Sequence, residues 1–241
     1  MNPKRTLVIA DDNPRERNYL SEIFASHTPA QAADGLEALS LCEGIEQAWL
    51  ITDIQMPQMN GIELARLLWA RQPDARIVFW TQYDDEMYVR ALAGIVPPET
   101  VYAYVLKNNS TTVLEKAATA VFADCQCWID PQIRPVQART HRRNASISEA
   151  EFEVLIDIAL GLTDNAIARR RYLSRRGVQN RLQSLYAKLG TNLCGQTGGE
   201  DMINARARAV ALSLQRGLIN AFELEKEEEK LRVWLESPRS R

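Results

Sequence analysis

Three acids, a hydroxyl and an ammonium in the N-terminal half have the types and spacing for phosphoryl chemistry: Asp11, Asp12, Asp53, Thr81 and Lys107. Carboxylates gathered in one crevice repel unless a cation sits among them. A hard divalent ion such as Mg²⁺ takes oxygen ligands and keeps several waters, so it suits an open acidic site. It neutralises both a carboxylate nucleophile and an incoming phosphoryl group, and an aspartate can then form an acyl phosphate. A lysine brings compact positive charge to phosphoryl oxygens, and a threonine brings a hydroxyl donor. Singly, each residue has a plainer role. Paired acids after a strand cap helices, and a Thr or Lys at a turn is a surface residue. All five in this order are not explained that way.

Short apolar runs lead into each of them: 6–10 before Asp11, 48–52 before Asp53, 76–80 before Thr81 and 101–106 before Lys107. A weaker run lies near 29–33. Continuous apolar runs suit strands buried on both faces. Helical patterns at 14–25, 35–43, 61–72, 84–93 and 111–124 alternate with them. The alternation predicts an α/β, doubly wound, parallel sheet of five strands. Ligands of such sheets bind beyond the carboxyl ends of the strands. The five residues fall at those ends.

A chain of 241 residues has room for two domains. Its 46% hydrophobic and 25% charged residues are ordinary for a globular protein. The net charge of -2 hides an asymmetry: residues 1–125 carry 10 Lys/Arg against 17 Asp/Glu, and residues 126–241 carry 19 against 14. A basic second half suggests a polyanionic partner. Cys42, Cys125, Cys127 and Cys194 make no metal pattern; Cys125 and Cys127 form only C-x-C, with His141 remote. They read as reduced, structural thiols. No stretch resembles a signal peptide or a membrane span, so the expected location is cytoplasmic with no membrane partner.

Residues 126–146, with Pro131, Pro135 and the basic run 139–143, read as a linker. Ser148-Glu-Ala-Glu151 is a capping-box pattern ahead of Phe152, Leu155, Ile156, Ile158 and Ala159, with Gly161 to end the helix. Thr163 caps a short second helix, and Ser174 caps a third that ends at Gly190. Val178, Leu182, Leu185 and Leu189 line one face of the third helix. From 162 to 190 there are seven Lys/Arg and one acid, Asp164. Solvated faces normally mix signs, so this excess points to nucleic acid. Gln179, Asn180 and Gln183 are amides able to pair with adenine edges; Arg175, Arg176, Arg181 and Lys188 suit phosphates or guanine. Residues 221–241 divide evenly between an interaction helix and a frayed, charged tail.

The segments Ala10-Asp-Asp-Asn-Pro14, Asp53-Ile-Gln-Met-Pro-Gln-Met-Asn-Gly61, Trp80-Thr81 and Tyr104-Val-Leu-Lys107 resemble the CheY-like receiver domain of two-component response regulators. That resemblance implies Asp53 as phosphoacceptor. It implies Mg²⁺ held by Asp12, Asp53 and the Gln55 backbone carbonyl, with Asp11 acting through water, and phosphoryl contacts from Thr81 and Lys107. Tyr104 matches the switch aromatic, expected to move inward on phosphorylation. Gln55 and Tyr83 stand where the family tunes phosphoryl lifetime, and their bulk implies a moderately long-lived group. Gln82 and Asn108 depart from the usual pattern. A haloacid-dehalogenase-like phosphatase also forms an aspartyl phosphate, but it wants Asp-x-Asp, and Gln55 stands at the second position. The chain is therefore expected to catalyse only its own phosphoryl transfer and dephosphorylation.

The second half resembles the LuxR-type helix-turn-helix of NarL/FixJ regulators through Ser148 to Leu155, Gly161 to Ala168, Leu173-Ser174, Val178-Gln-Asn180, Lys188-Leu-Gly190 and Arg208 to Leu218. It implies a receiver over 1–125, a DNA-binding domain over 147–220 with an insertion at 191–204, and homodimers when phosphorylated. The implied partners are DNA and a cognate histidine kinase. Ala166 replaces a usual Glu and Gly177 a usual Thr. The alternatives are a module that docks on another regulator, and constitutive DNA binding with an idle receiver.

Overall fold

The protein is described from a computed structural model covering residues 6–140, 147–191 and 204–237. Every residue of Leu7–Ala10 (β1) and Trp49–Thr52 (β3) is buried, as unbroken apolar runs between two helical layers require. Ala30–Ala32 (β2), Arg76–Thr81 (β4) and Tyr102–Leu106 (β5) complete the expected strands. The helices between them are Pro14–Ile23 (α1), Gly35–Cys42 (α2), Gly61–Arg71 (α3), Glu86–Ile95 (α4) and Thr111–Phe122 (α5). The pairings among these strands are all parallel, in the order β2-β1-β3-β4-β5. Leu7, Ile9, Ile51, Val78 and Val105 pack with Leu114 and Val121 of α5 on one face, where Trp49 stacks on Phe122 at 4.8 Å.

The sheet has six strands, not five. Trp128–Ile129 (β6) pairs with the edge of β5, setting Trp128 beside Ala103 and Ile129 beside Tyr104. It lies inside the stretch expected to be linker. Asp130, 2% exposed, holds it there. Its carboxylate accepts from Asn109 Nδ2 at 2.6 Å and the Gln132 N–H at 2.9 Å, and its own N–H donates to the Tyr104 carbonyl at 3.0 Å. Helix Arg134–Thr140 (α6) follows. The side chains of the basic run 139–143 lie outside the described residues. So do residues 192–203, which carry Cys194 and the glycines of the expected insertion, and the last four residues of the tail.

The chain divides into two compact units, the first covering Met1–Asp84 and Tyr88–Gln137 and the second chiefly Ala138–Arg241. The second is helical throughout its described elements: Glu149–Ala159 (α7), Asp164–Arg170 (α8), Arg175–Leu189 (α9), Ala205–Gln215 (α10) and Ala221–Glu236 (α11). Asn, Ser or Thr caps each start: Ser148, Thr163, Ser174, Asn204 and Asn220 accept from the first turn. The Ser148/Glu151 capping box is complete, and Gly190 ends α9 at φ 71°. Leu155, Ile167, Val178, Leu182 and Leu185 form the core. Residues 221–236 are no frayed tail: Leu231 is buried in that core, with Leu224 and Trp234 packed against it. No described helix is long and apolar enough to cross a membrane.

Two glycines give opposite expectations. A Cβ on Gly61 would lie 2.1 Å from the Asp53 carbonyl oxygen, which is backbone and cannot yield. Gly61→Ala should destabilise the first unit by about 3 kcal/mol or more, the upper end for overpacking. A Cβ on Gly177 would meet the Ser174 Oγ at 3.3 Å and the Leu173 Cβ at 4.0 Å, so the capping hydroxyl has to give by only a few tenths of an ångström. Gly177→Ala should stabilise the second unit by up to about 1 kcal/mol through helix propensity. Urea unfolding followed by circular dichroism reads both, and a shift of the same sign for the two would contradict the packing argument.

Candidate functional sites

The ends of β1, β3, β4 and β5 lie side by side, and the parallel register brings two candidate residues from the first and one from each of the others. Asp11 and Asp12 follow β1, Asp53 follows β3, Thr81 ends β4 and Lys107 follows β5. The ammonium of Lys107 donates to Asp11 Oδ2 at 2.7 Å and to Asp53 Oδ2 at 2.9 Å. The other Asp53 oxygen accepts the Ile54 N–H at 2.5 Å, and the other Asp11 oxygen accepts the Asn13 N–H at 2.9 Å. Lys107 Nζ also lies 4.9 Å from the centre of the Trp80 ring, a cation–π contact.

Burial shapes the charges. Asp11 is fully buried, and desolvation holds its carboxyl above the usual range although the Lys107 ammonium opposes that shift. For Lys107, burial favours the neutral form, but the Asp53 and Asp11 carboxylates outweigh it and hold the amine above its usual value. Lys107 therefore stays charged. Asp12 is exposed at the rim. One carboxylate oxygen from each of Asp11, Asp12 and Asp53 falls within 4.8 Å of the others. This oxygen-only donor set, open on one side, fits a hard cation and does not fit a soft one. A cleft of about 340 Å³ lined by Arg15, Tyr19, Trp80, Lys107 and Thr111 opens beside it.

Tyr83 links the remaining site residues. Its N–H donates to Thr81 Oγ1 at 3.4 Å, and its carbonyl accepts from the Tyr104 hydroxyl at 2.7 Å. Tyr104 is 1% exposed, so the aromatic expected to move inward is already inside. The Gln55 side chain donates to the Tyr88 hydroxyl at 2.6 Å, the Tyr88 ring meets Tyr83 edge-on at 5.8 Å, and Gln82 donates to the Tyr83 hydroxyl at 2.9 Å. The polar rim expected from Gln55 and Tyr83 thus includes Gln82 and Tyr88. Tyr88 has no signal in the sequence, because a Tyr in an amphipathic helix reads as core.

In the second unit, Ser174 accepts from the Gly177 N–H at 3.0 Å and starts α9. Val178, Leu182, Leu185 and Leu189 are buried, and Arg175, Arg176, Gln179, Asn180 and Gln183 are exposed on the outer side, with Arg181 half-buried. Not all the positive charge faces out. Arg170 and Arg171 both bond Asp157, which is fully buried on α7, at 2.7 and 2.8 Å. Lys188 donates to Glu151 Oε2 at 2.6 Å. The seven-to-one excess therefore overstated the outward charge. Asp157, a lone acid between Ile156 and Ile158, was the signal in the sequence that nearby cations would turn inward. Arg175, Arg176 and Arg181 have no acidic partner among the described residues.

The fold and the strand-end acids define the receiver class, and residues 7–119 match the response regulator receiver domain. Residues 7–119 thus belong to the response regulator receiver family, and over most of its length the chain is similar to proteins named as transcriptional regulators. Transcriptional regulatory protein YdfI of Bacillus subtilis is 26% identical, over 88% of this chain and 97% of its own. Transcriptional regulatory protein DegU of Brevibacillus brevis is 25% identical, over 90% and 95%. Among solved structures, RcsB of Salmonella enterica serovar Typhimurium bound to a promoter with a phosphomimetic shares the fold. Its TM-score is 0.56 at 20% identity, over 89% of this chain and 100% of that one.

Glu151 gives this region a testable pH dependence. Burial alone would raise its carboxyl, but Lys188, Ser184 Oγ at 2.5 Å and the Ser148 N–H at 2.6 Å together lower it from 4.5 to about 2. A depressed folded-state value means that the stabilisation is full above the unfolded value and is lost as pH falls through the folded one. Wild type should therefore lose stability in the second unit between about pH 4.5 and pH 2 more steeply than Glu151→Gln does. Equal slopes by urea unfolding across that window would show that the Lys188 pair contributes nothing.

Proposed function

We propose that the protein is a phosphorylation-switched regulator of transcription, with Asp53 as phosphoacceptor and a histidine kinase as donor. The observation that carries this is Lys107 bridging Asp11 and Asp53 at the mouth of an acidic, oxygen-only site. In the transfer, a carboxylate oxygen of Asp53 attacks phosphorus. The O–P bond forms, the bond from phosphorus to the donor nitrogen breaks, and the leaving imidazole takes up a proton. Lys107 then faces the phosphoryl oxygens with its charge intact, and the Thr81 hydroxyl donates to one of them. Asp12, Asp53 and the Gln55 backbone carbonyl would hold Mg²⁺, with Asp11 acting through water; bound there, the ion would offset the phosphoryl charge. The reacting group is the chain's own Asp53, so no separate substrate is turned over. The rim of Gln55, Gln82, Tyr83 and Tyr88 hinders an attacking water and lengthens the phosphoryl lifetime.

The receiver, expected over 1–125, also takes in β6, and the DNA-binding domain, expected over 147–220, also takes in α11. Helix α9 is the recognition helix. Gln179, Asn180 and Gln183 face base edges, while Arg175, Arg176 and Arg181 hold phosphates or guanine. Lys188, first placed among the DNA contacts, acts instead as a support that orients α9 against α7 through Glu151. The relatives named as transcriptional regulatory proteins and the promoter-bound RcsB structure support this reading. Phosphorylation would favour homodimers that bind paired half-sites.

Labelling with a small acyl phosphate should modify wild type and leave Asp53→Asn unmodified. Gln179→Ala should cost about 1–3 kcal/mol on the selected DNA sequence and much less on random DNA. Arg175→Ala and Arg176→Ala should each lower the salt slope of binding by about one. Persistent labelling of Asp53→Asn would remove the phosphoacceptor assignment. Equal loss on all DNA in Gln179→Ala would remove the base-reading one. A salt-independent association would favour docking on another regulator instead.

A further inference from the structure

The cysteines of the first unit do not share one environment. Cys42 is a structural thiol: it is buried, and desolvation pushes it up to about 12. Cys125 and Cys127 are both exposed, in the bend between α5 and β6. Two further observations set Cys125 apart. Its backbone sits in the left-handed region at φ 55°, where a side chain other than Gly, Asn or Asp is strained. Strain of this kind is tolerated where a position serves a purpose. Secondly, the guanidinium of Arg76 approaches its sulfur, with Nη2 at 3.0 Å from Sγ. The other arm of Arg76 donates to the Val121 carbonyl at 3.2 Å and to the Phe122 carbonyl. Arg76 thereby places its charge between the carboxyl end of α5 and that sulfur. An exposed sulfur beside a fixed cation is the setting of a reactive cysteine.

We propose that Cys125 is a peroxide-reactive thiol and that Cys127 resolves it, forming an intramolecular disulfide that gives the receiver a redox input besides phosphorylation. The Cys125 thiolate attacks one oxygen of a hydroperoxide. An S–O bond forms, the O–O bond breaks, and the leaving alkoxide or hydroxide takes a proton from water. Sulfur loses two electrons and the peroxide gains them, leaving a sulfenic acid. The Cys127 thiolate then attacks that sulfur. The S–S bond forms, the S–O bond breaks, and hydroxide departs as water with the proton that Cys127 gave up. Residues two apart are separated by at most about 7 Å, the upper end of the span that a disulfide bridges.

The bridge would sit at a consequential place. Trp128 and Ile129 follow at once and pair with Ala103 and Tyr104 of β5. Cys127 is close enough to Tyr102, also on β5, for its charge to add to the burial that raises that phenol. Closing the ring therefore alters the strand that joins β5 to the connector.

The test uses the full chain with dilute hydrogen peroxide and peptide mapping. Wild type should lose two hydrogens within the peptide holding Cys125 and Cys127. Cys127→Ser should accumulate a sulfenic acid on Cys125 that dimedone captures. Arg76→Gln should slow alkylation of Cys125 by iodoacetamide about threefold to tenfold at neutral pH. Arg76→Lys keeps the charge and should retain most of the rate, which separates electrostatics from loss of the α5 cap. Dimedone on Cys127 instead of Cys125 would overturn the proposal. So would a Cys125 no faster than Cys127, or an unchanged rate in Arg76→Gln.

Discussion

The ammonium of Lys107 is the interaction on which the receiver's arrangement depends. A parallel sheet brings the carboxyl ends of its strands to one edge, and here that edge carries three acids. Asp11 is fully buried and Asp53 nearly so, and two carboxylates that close cannot both stay ionised without compensation. Lys107 supplies it from β5, two strands away from Asp53 in the sheet order and three from Asp11. The bridge thus acts across β4. It ties the two halves of the site together and leaves the side of the cluster with Asp12 exposed. Gly61 serves the same end from below, since its missing side chain lets the loop after β3 close against the Asp53 carbonyl.

The second unit solves a related problem in another way. Asp157 and Glu151 are acids on the buried side of α7, and each draws cations inward: Arg170 and Arg171 to one, Lys188 to the other. A buried acid left without its partner would be strongly destabilising. These cations are therefore committed to holding α7, α8 and α9 together. Arg170 also reaches Glu227 of α11 at 3.3 Å, which ties that helix to the same network. What remains outward on α9 is a narrow set of amides and arginines, arranged by the helix period alone.

Local patterns were legible in the sequence because they depend on few residues. The strand ends follow from apolar runs stopped by a polar residue. The helix starts follow from Ser148, Thr163 and Ser174, and the α9 stripe follows from 3.6-residue spacing. The misreadings are all long-range. β6 is two residues long, too short to show a strand pattern, and it exists only because β5 offers an open edge and Asp130 pins it beside that edge. The inward turn of Arg170, Arg171 and Lys188 depends on acids 13 to 37 positions away. Residues 221–236 read equally as a tail or a helix because Leu231 finds its core only through packing. At Cys125, the positive φ and the contact with Arg76 appear only once α5 and β4 are placed.

Tyr104 shows how site and strand are coupled. Its ring is inside, and its hydroxyl bonds the Tyr83 carbonyl, whose own N–H bonds the Thr81 hydroxyl. One residue thus joins the Thr81 hydroxyl at the end of β4 to the aromatic beneath. If Thr81 turned its hydroxyl to a phosphoryl oxygen, Tyr83 would keep Tyr104 but lose Thr81. The Tyr104 carbonyl also accepts from the Asp130 N–H, so the strand linked to Thr81 through Tyr83 also anchors β6. On the proposed roles of Asp53 and Cys125, the β6 pairing is the element that both changes would reach. Two inputs acting on one strand need not act on each other directly; each has only to favour the same arrangement of β5.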